Sequence, residues 1–214
     1  MITIVQARTN SKRFPRKILY KIYGKTIIEH VISNIKKSRN VSQVIVATSK
    51  ETTDNELVKF LKNKKIKFYR GDLENVALRC CKIAKKLKIK NFIRINADSP
   101  LIDHNLIDHA IEIYKKNINK FDIITNVFPR TFPSGQSVEI IKTSLLEKNI
   151  HKMNKYELEH VTPYFYLNNK SFKIINFIMK KKKIKLKFSI DTKNDLKKIK
   201  QKINKKKFFN FKII

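Results

Sequence analysis

A basic segment follows the first apolar run of the chain, and its side chains suit the binding of a polyphosphate. Arg8, Arg13 and Lys17 lie close together there. One guanidinium group can bind two phosphate oxygens at once, lysine supplies a compact positive charge, and backbone N–H groups add hydrogen-bond donors. The GxxxxGK[ST] pattern of a P-loop is absent from the sequence. A solvated basic loop is the alternative, but its place directly after the first predicted strand favours phosphate binding.

Two acidic residues, Asp98 and Asp191, each end a short apolar run. A Mg²⁺ ion bound to phosphates needs one or two carboxylates and keeps several waters. Either residue could instead cap the helix predicted after it. Because the chain has 49 Lys+Arg and only 17 Asp+Glu, two acids in equivalent places favour a magnesium site more strongly than either alone.

Short β-branched runs alternate with longer helical periods along the chain. Strands are predicted at 2–7, 43–48, 67–69, 91–95, 122–125, 137–141, 172–178 and 187–190. Helices are predicted at 26–37, 53–63, 73–87, 105–116, 143–152, 157–166 and 193–205. This alternation predicts an α/β fold with a mostly parallel central sheet covered on both faces, and ligands at the carboxyl ends of its strands. No repeat or flexible linker divides the chain, so residues 1–214 are expected to form a single domain.

The net charge of +32 raises the possibility of a nucleic-acid partner. The lysines are spread widely, however, and no nucleic-acid recognition motif accompanies them. A basic solvated surface with no specific nucleic-acid partner is therefore expected. No apolar run reaches the roughly 20 residues of a membrane span, and no signal peptide is apparent. The adjacent Cys80 and Cys81 are expected to be reduced thiols, so a soluble cytoplasmic protein is predicted.

Six blocks occur in an order that resembles the cytidylyltransferase family, whose members make CMP-activated sugars. They are IVQAR (4–8), RGDLENVALR (70–79), DSPLID (98–103), FPSGQSVE (132–139), EHVTPY (159–164) and IDT (190–192). The family includes acylneuraminate and 3-deoxy-manno-octulosonate cytidylyltransferases. The sequence is most similar to the SpsF-like branch of spore-coat polysaccharide biosynthesis. The resemblance extends over most of the chain.

The resemblance implies a nucleotide-diphospho-sugar-transferase-like (Rossmann-like) three-layer sandwich, usually homodimeric, that uses CTP, Mg²⁺ and a small, acidic sugar. It implies that the triphosphate is held by Arg8, Arg13 and Lys17, with Arg79 also contacting the nucleotide. Mg²⁺ would be bound by Asp98 and Asp191. Gly135 and Glu139 would lie near the sugar, and His160 in the segment that closes that side or meets the partner subunit.

Three positions depart from the family pattern: Arg16 and Ala97 replace glycines, and Asn75 replaces a common acid. The implied reaction is attack by a sugar oxygen on the α-phosphorus of CTP, which expels pyrophosphate. The protein's task is then positioning and charge neutralisation. Two alternatives remain: an enzyme of the same fold that uses another nucleotide or transfers a glycosyl group, and a noncatalytic polyanion-binding protein.

Overall fold

The computed structural model describes residues 1–180, 186–204 and 211. The strands are β1 (Ile2–Gln6), β2 (Lys21–Ile22), β3 (Lys25–Thr26), β4 (Gln43–Ser49), β5 (Phe68–Gly71), β6 (Asn91–Asn96), β7 (Ile123–Thr125), β8 (Glu139–Lys142) and β9 (Ile174–Asn176). The helices are α1 (Ile27–Ile35), α2 (Asn55–Asn63), α3 (Val76–Lys86), α4 (His104–Lys116), α5 (Thr143–Asn149), α6 (Lys155–His160), α7 (Pro163–Leu167) and α8 (Lys193–Asn204). Short 3₁₀ helices cover Lys17–Leu19, Thr52–Asp54, Ile150–Lys152 and Asn169–Ser171.

Seven strands form one sheet in the order β5-β4-β1-β6-β8-β7-β9. The first four of these are mutually parallel, β8 is antiparallel to both of its neighbours, and β9 is parallel to β7. This confirms the predicted mostly parallel sheet. Among the described residues, no helix is both long enough and apolar enough to cross a bilayer.

The two faces of the sheet are covered by different helices. Successive side chains of a strand point to opposite faces. In β1, Val5 packs in a cluster with α1, α2 and α4, whereas Ile4 packs in a cluster with α3, α5 and α7. The adjacent cysteines lie on the second face, buried in α3 and unbridged, and burial raises the pKa of the Cys80 thiol to about 11. This confirms the three-layer arrangement and the free thiols.

A small antiparallel hairpin, β2–β3, lies between the basic loop and α1 and was not predicted. Its turn residues Tyr23 and Gly24 both have positive φ, 47° and 80°, the signature of a two-residue type I′ turn. Helix α1 begins directly after it, where Thr26 and Glu29 form a reciprocal capping box. The hairpin therefore fixes the path of the chain between the basic loop and the core.

The predicted strand at 187–190 was wrong. Lys187 makes an isolated bridge with Ser134, and further along the segment the Ile190 N–H donates to the Asp98 carbonyl at 2.9 Å. The segment crosses the carboxyl edge of the sheet instead of extending it, so it makes single hydrogen bonds and no ladder. The predicted helix at 157–166 also divides, at Val161, into α6 and α7. The predicted end of the last helix, residue 205, lies outside the described residues.

Candidate active site

A cleft of about 620 Å³ opens at the carboxyl ends of β1 and β6. Its walls come from the basic loop after β1, the start of α3, the end of α6, and the segment that crosses the sheet edge. The sequence-predicted residues that line it are Arg8, Arg13, Lys17, Arg79, Asp98, His160 and Asp191. The structure therefore gathers seven of the nine candidate residues at the sheet edge where an α/β fold binds its ligands.

Lys17 lies between the two candidate metal ligands. Its ammonium donates to Asp98 Oδ2 at 2.7 Å and to Asp191 Oδ1 at 3.4 Å, and also to the Ile190 carbonyl at 2.6 Å. The residue before it, Arg16, adopts a left-handed conformation with φ 59°. Glycine adopts that conformation without steric cost, which accounts for the glycine that the family resemblance implies at this position. Two carboxylates that are far apart in the sequence thus converge on one cation.

Asp191 contacts two further cations. Arg13 Nη2 is 3.0 Å from Asp191 Oδ1, and Lys187 Nζ is 2.8 Å from Asp191 Oδ2. Burial alone would raise the pKa of Asp191, but the hydrogen bond from Lys187 and the charges of Lys17, Lys187 and Arg13 bring that pKa below its usual value. Asp191 is therefore ionised at neutral pH, the state in which a carboxylate can bind a metal ion.

Arg79 is almost fully buried at the edge of the cleft, with 1% of its surface exposed. Its Nη1 donates to the backbone carbonyls of Asp72 and Leu73, and its Nε has no hydrogen-bond partner among the described residues. Burial lowers the pKa of the guanidinium. A Cβ at Gly71 would lie 2.9 Å from Arg79 Cγ, so the glycine makes room for this side chain. A buried cation with a free donor suits an acceptor-rich ligand such as a nucleotide.

Arg79 lies in the first turn of α3, and Asn75 caps the start of this helix. The Asn75 side-chain oxygen accepts a hydrogen bond from the Leu78 N–H at 2.8 Å, which is the N-cap geometry. Asparagine and aspartate cap helices about equally well. The departure at Asn75 therefore preserves the local structure around Arg79.

His160 and Glu159 line the cleft at the end of α6. Glu159 Oε1 accepts from Arg8 Nη2 at 2.5 Å, so an ion pair joins this wall to the basic loop. Partial burial lowers the pKa of His160, and the positive charges of Arg94 and Arg8 lower it further against the opposing effect of Glu159. His160 is therefore mainly neutral at neutral pH.

The other two candidates, Gly135 and Glu139, are not among the residues that line the cleft. Glu139 is buried in an ion pair with Arg94 and accepts from Thr162 Oγ1 at 2.8 Å and Tyr166 Oη at 2.6 Å. Its contact with a sugar stays a prediction. In this structure Glu139 connects β6 and β8 to α7.

Gly135 supports the segment that carries Asp191. It has φ 91°, and a Cβ there would lie 2.4 Å from the Phe188 carbonyl carbon and 2.5 Å from the Ser189 nitrogen. The neighbouring Ser134 accepts the Phe188 N–H at 2.7 Å through its carbonyl. Glycine thus permits the close backbone contact that sets the course of the chain toward Asp191.

Asp54, which no pattern in the sequence marked as a site residue, anchors the basic loop. This carboxylate is fully buried and accepts from the Thr9 N–H at 2.7 Å, the Thr48 hydroxyl at 2.9 Å and the Ser49 N–H at 3.0 Å. It therefore fixes Thr9, next to Arg8, against the end of β4. The sequence offered one signal for Asp54, the scarcity of acidic residues in this chain.

Comparisons with known proteins agree with this geometry. A family model described as cytidylyltransferase matches residues 2–212. The chain belongs to the cytidylyltransferase family. It is therefore a nucleotidyltransferase enzyme.

Individual relatives and one solved structure are also similar to this protein over most of its length. An uncharacterized protein of Methanocaldococcus jannaschii is 34% identical over 202 residues, which are 92% of this chain and 80% of that protein. The spore coat polysaccharide biosynthesis protein SpsF of Bacillus subtilis is 25% identical over 94% of this chain and 85% of its own. The structure of a cytidylyltransferase from Leptospira borgpetersenii has a TM-score of 0.90 and 30% identity, and the match covers 98% of this chain and 88% of that one.

Proposed function

We propose that this cytidylyltransferase couples CTP to an acidic sugar in a Mg²⁺-dependent reaction that yields a CMP-sugar and pyrophosphate. The observation that carries the proposal is the convergence of Asp98 and Asp191 on the Lys17 ammonium, beside the loop that bears Arg8 and Arg13. Such a site combines cations for a triphosphate with carboxylates for its metal ion.

The carboxylate oxygens of Asp98 and Asp191, on either side of Lys17, are of the type that magnesium ions prefer. Asp98 and Asp191 offer hard oxygen ligands that already face a common cation, and Asp98 Oδ1 accepts one long hydrogen bond, 3.3 Å, from the Ser99 hydroxyl. No group of three or more metal-binding side chains occurs among the described residues. Phosphate oxygens and water would therefore complete the coordination, as is usual for Mg²⁺. Bound there, the ion would withdraw charge from the phosphate oxygens.

The chain's own residues position the reactants. Arg8, Arg13 and Lys17 bind the phosphate oxygens of the nucleotide. Arg79 donates to the nucleotide from the first turn of α3. The sugar hydroxyl oxygen then attacks the α-phosphorus and loses its proton to solvent. The bond from the α-phosphorus to the oxygen that bridges the α- and β-phosphates breaks, and pyrophosphate leaves with that oxygen. Phosphoryl-type transfer depends mainly on such positioning and electrostatic stabilisation.

The names of relatives support the sugar class. SpsF acts in spore coat polysaccharide biosynthesis by its name. A 3-deoxy-manno-octulosonate cytidylyltransferase of Geobacter sulfurreducens is 31% identical over 114 residues, which are 53% of this chain and 45% of that protein. We therefore propose an acidic sugar as acceptor and a role in surface polysaccharide assembly. The family resemblance is the ground for proposing a homodimer, and the two free thiols are the ground for proposing a cytoplasmic location.

The test is pyrophosphate release by the purified protein with CTP, Mg²⁺ and a panel of acidic and neutral sugars. We expect release with CTP and an acidic sugar, loss of release when EDTA removes the metal, and a higher melting temperature in CTP with Mg²⁺. Absence of release with every sugar, together with absence of thermal protection, would contradict the proposal. Stronger protection by an intact nucleotide-sugar than by CTP would favour a glycosyltransferase instead.

A further inference from the structure

The ion pair between Arg8 and Glu159 crosses the candidate cleft. Arg8 Nη2 and Glu159 Oε1 are 2.5 Å apart, and the two side chains remain 38% and 36% exposed. One partner belongs to the basic loop and the other to the end of α6, so the contact spans two walls of the cleft. The Glu159 carboxylate thus takes one of the hydrogen bonds that the Arg8 guanidinium could otherwise donate to a phosphate.

The backbone holds Glu159 in this place. The Thr162 N–H donates to the His160 carbonyl at 3.0 Å, and Val161 between them has φ 73° and ψ −53°. These values describe a γ-turn, a rare and strained conformation, and more so for a β-branched residue. Strained backbone persists when its surroundings fix it, and it concentrates at functional sites.

Two contacts fix the turn. The Val161 side chain is fully buried in the core cluster that includes α3 and α5, and Thr162 donates to the buried carboxylate of Glu139. At the other end of α6, Asn154 and Glu157 form a capping box that defines where the helix begins. Glu159 is therefore presented to Arg8 by an anchored element and not by a free loop.

The charges in the cleft distinguish Glu159 from the other acids. The cleft is lined by five cationic residues and four acidic ones: Arg8, Lys12, Arg13, Lys17 and Arg79, with Glu74, Asp98, Glu159 and Asp191. Asp98 and Asp191 contact Lys17, and Glu74 pairs with the exposed Lys155. Among the described residues, Glu159 is the acid that neutralises Arg8.

We propose that Glu159 is a specificity-determining residue that competes with the nucleotide's phosphates for Arg8. A phosphate that accepts from Arg8 Nη2 must displace the carboxylate, so the pair penalises weakly charged nucleotides and admits a triphosphate. When pyrophosphate leaves, Glu159 returns to Arg8 and opposes rebinding. The inference rests on the proposed function, because it requires Arg8 to contact phosphate.

The test is calorimetric titration of CTP and of cytidine into the wild type, Glu159→Gln and Glu74→Gln. Glutamine keeps an oxygen that accepts from Arg8 but removes the competing charge. We expect Glu159→Gln to bind CTP about three- to tenfold more tightly. The half-exposed ion pair with Arg8 no longer has to be broken, and the carboxylate no longer repels the triphosphate. Binding of cytidine, which has no phosphate, stays unchanged. Glu74→Gln removes the same charge from the same cleft and should change CTP binding less than about twofold.

A double variant tests the pairing directly. In an Arg8→Met background, Glu159→Gln should tighten CTP binding no more than Glu74→Gln does in the wild type, because only the general loss of negative charge remains. Equal effects of Glu159→Gln and Glu74→Gln, or weaker CTP binding by Glu159→Gln, would overturn the inference. Failure of the folded wild type to bind CTP would instead contradict the proposed function.

Discussion

Asp98→Asn is expected to reduce cytidylyl transfer by about a hundredfold to a thousandfold while the protein stays folded. The substitution keeps the shape of the side chain and removes the negative charge that faces Lys17 at 2.7 Å. The metal site loses a ligand that carries charge, and an amide oxygen is a weaker ligand for Mg²⁺. Lys17 keeps the Ile190 carbonyl and Asp191 as partners, so the buried ammonium is not left alone. Steady-state pyrophosphate release and circular dichroism measure the two effects.

Asp103→Asn is the matched control. Asp103 caps α4 by accepting the Asn105 N–H at 2.9 Å, and asparagine caps equally well. The change in charge is the same and the position is five residues further along the chain. Turnover within about twofold of the wild type is expected. Normal turnover in Asp98→Asn would refute the metal-ligand assignment.

Gly135→Ala is expected to destabilise the protein by at least about 3 kcal/mol and to lower activity with it. The new Cβ would lie 2.4 Å from the backbone of Phe188, and φ 91° strains any residue other than glycine. The contacting atoms are main chain, so relief requires movement of the segment that leads to Asp191. A fall in melting temperature of about 6–12 °C follows from that free energy.

Gly24→Ala is the control for Gly135→Ala, because it introduces backbone strain without a close contact. Gly24 also has a positive φ, 80°, but a Cβ there meets nothing within 4 Å. The expected cost is about 1 kcal/mol, a fall of about 2–4 °C, with turnover unchanged. Equal melting temperatures for the two variants would show that the contact between Gly135 and Phe188 does not stabilise the fold.

The sheet could be predicted because its strands are strongly β-branched and its helices have clear three- and four-residue spacing. The hairpin at Lys21–Thr26 was missed because two-residue strands are too short to show a period. The segment at 187–190 has a strand's composition, yet its hydrogen bonds go to Ser134 and Asp98, which the composition does not encode.

The candidate site could be predicted where the residue type alone indicates what the side chain can bind. Asp98 and the basic loop were found because β6 and β1 end at the same edge of the sheet. Asp191 was found because acids are scarce, although the strand predicted before it does not form. Asp54 and Glu159 were missed because their partners Thr9 and Arg8 lie 45 and 151 residues away in the chain. Val161 was missed because valine rarely adopts a positive φ, so no local pattern marks the turn that ends α6.

The central claim is that Asp98 and Asp191 hold one metal ion against the triphosphate bound by the basic loop. The most direct test is anomalous diffraction from Mn²⁺ in crystals grown with CTP. We expect a metal peak between the carboxylates of Asp98 and Asp191 and in contact with the phosphates, with Arg8 and Arg13 on the same nucleotide. Bound CTP whose metal ion lies away from both aspartates would contradict the account.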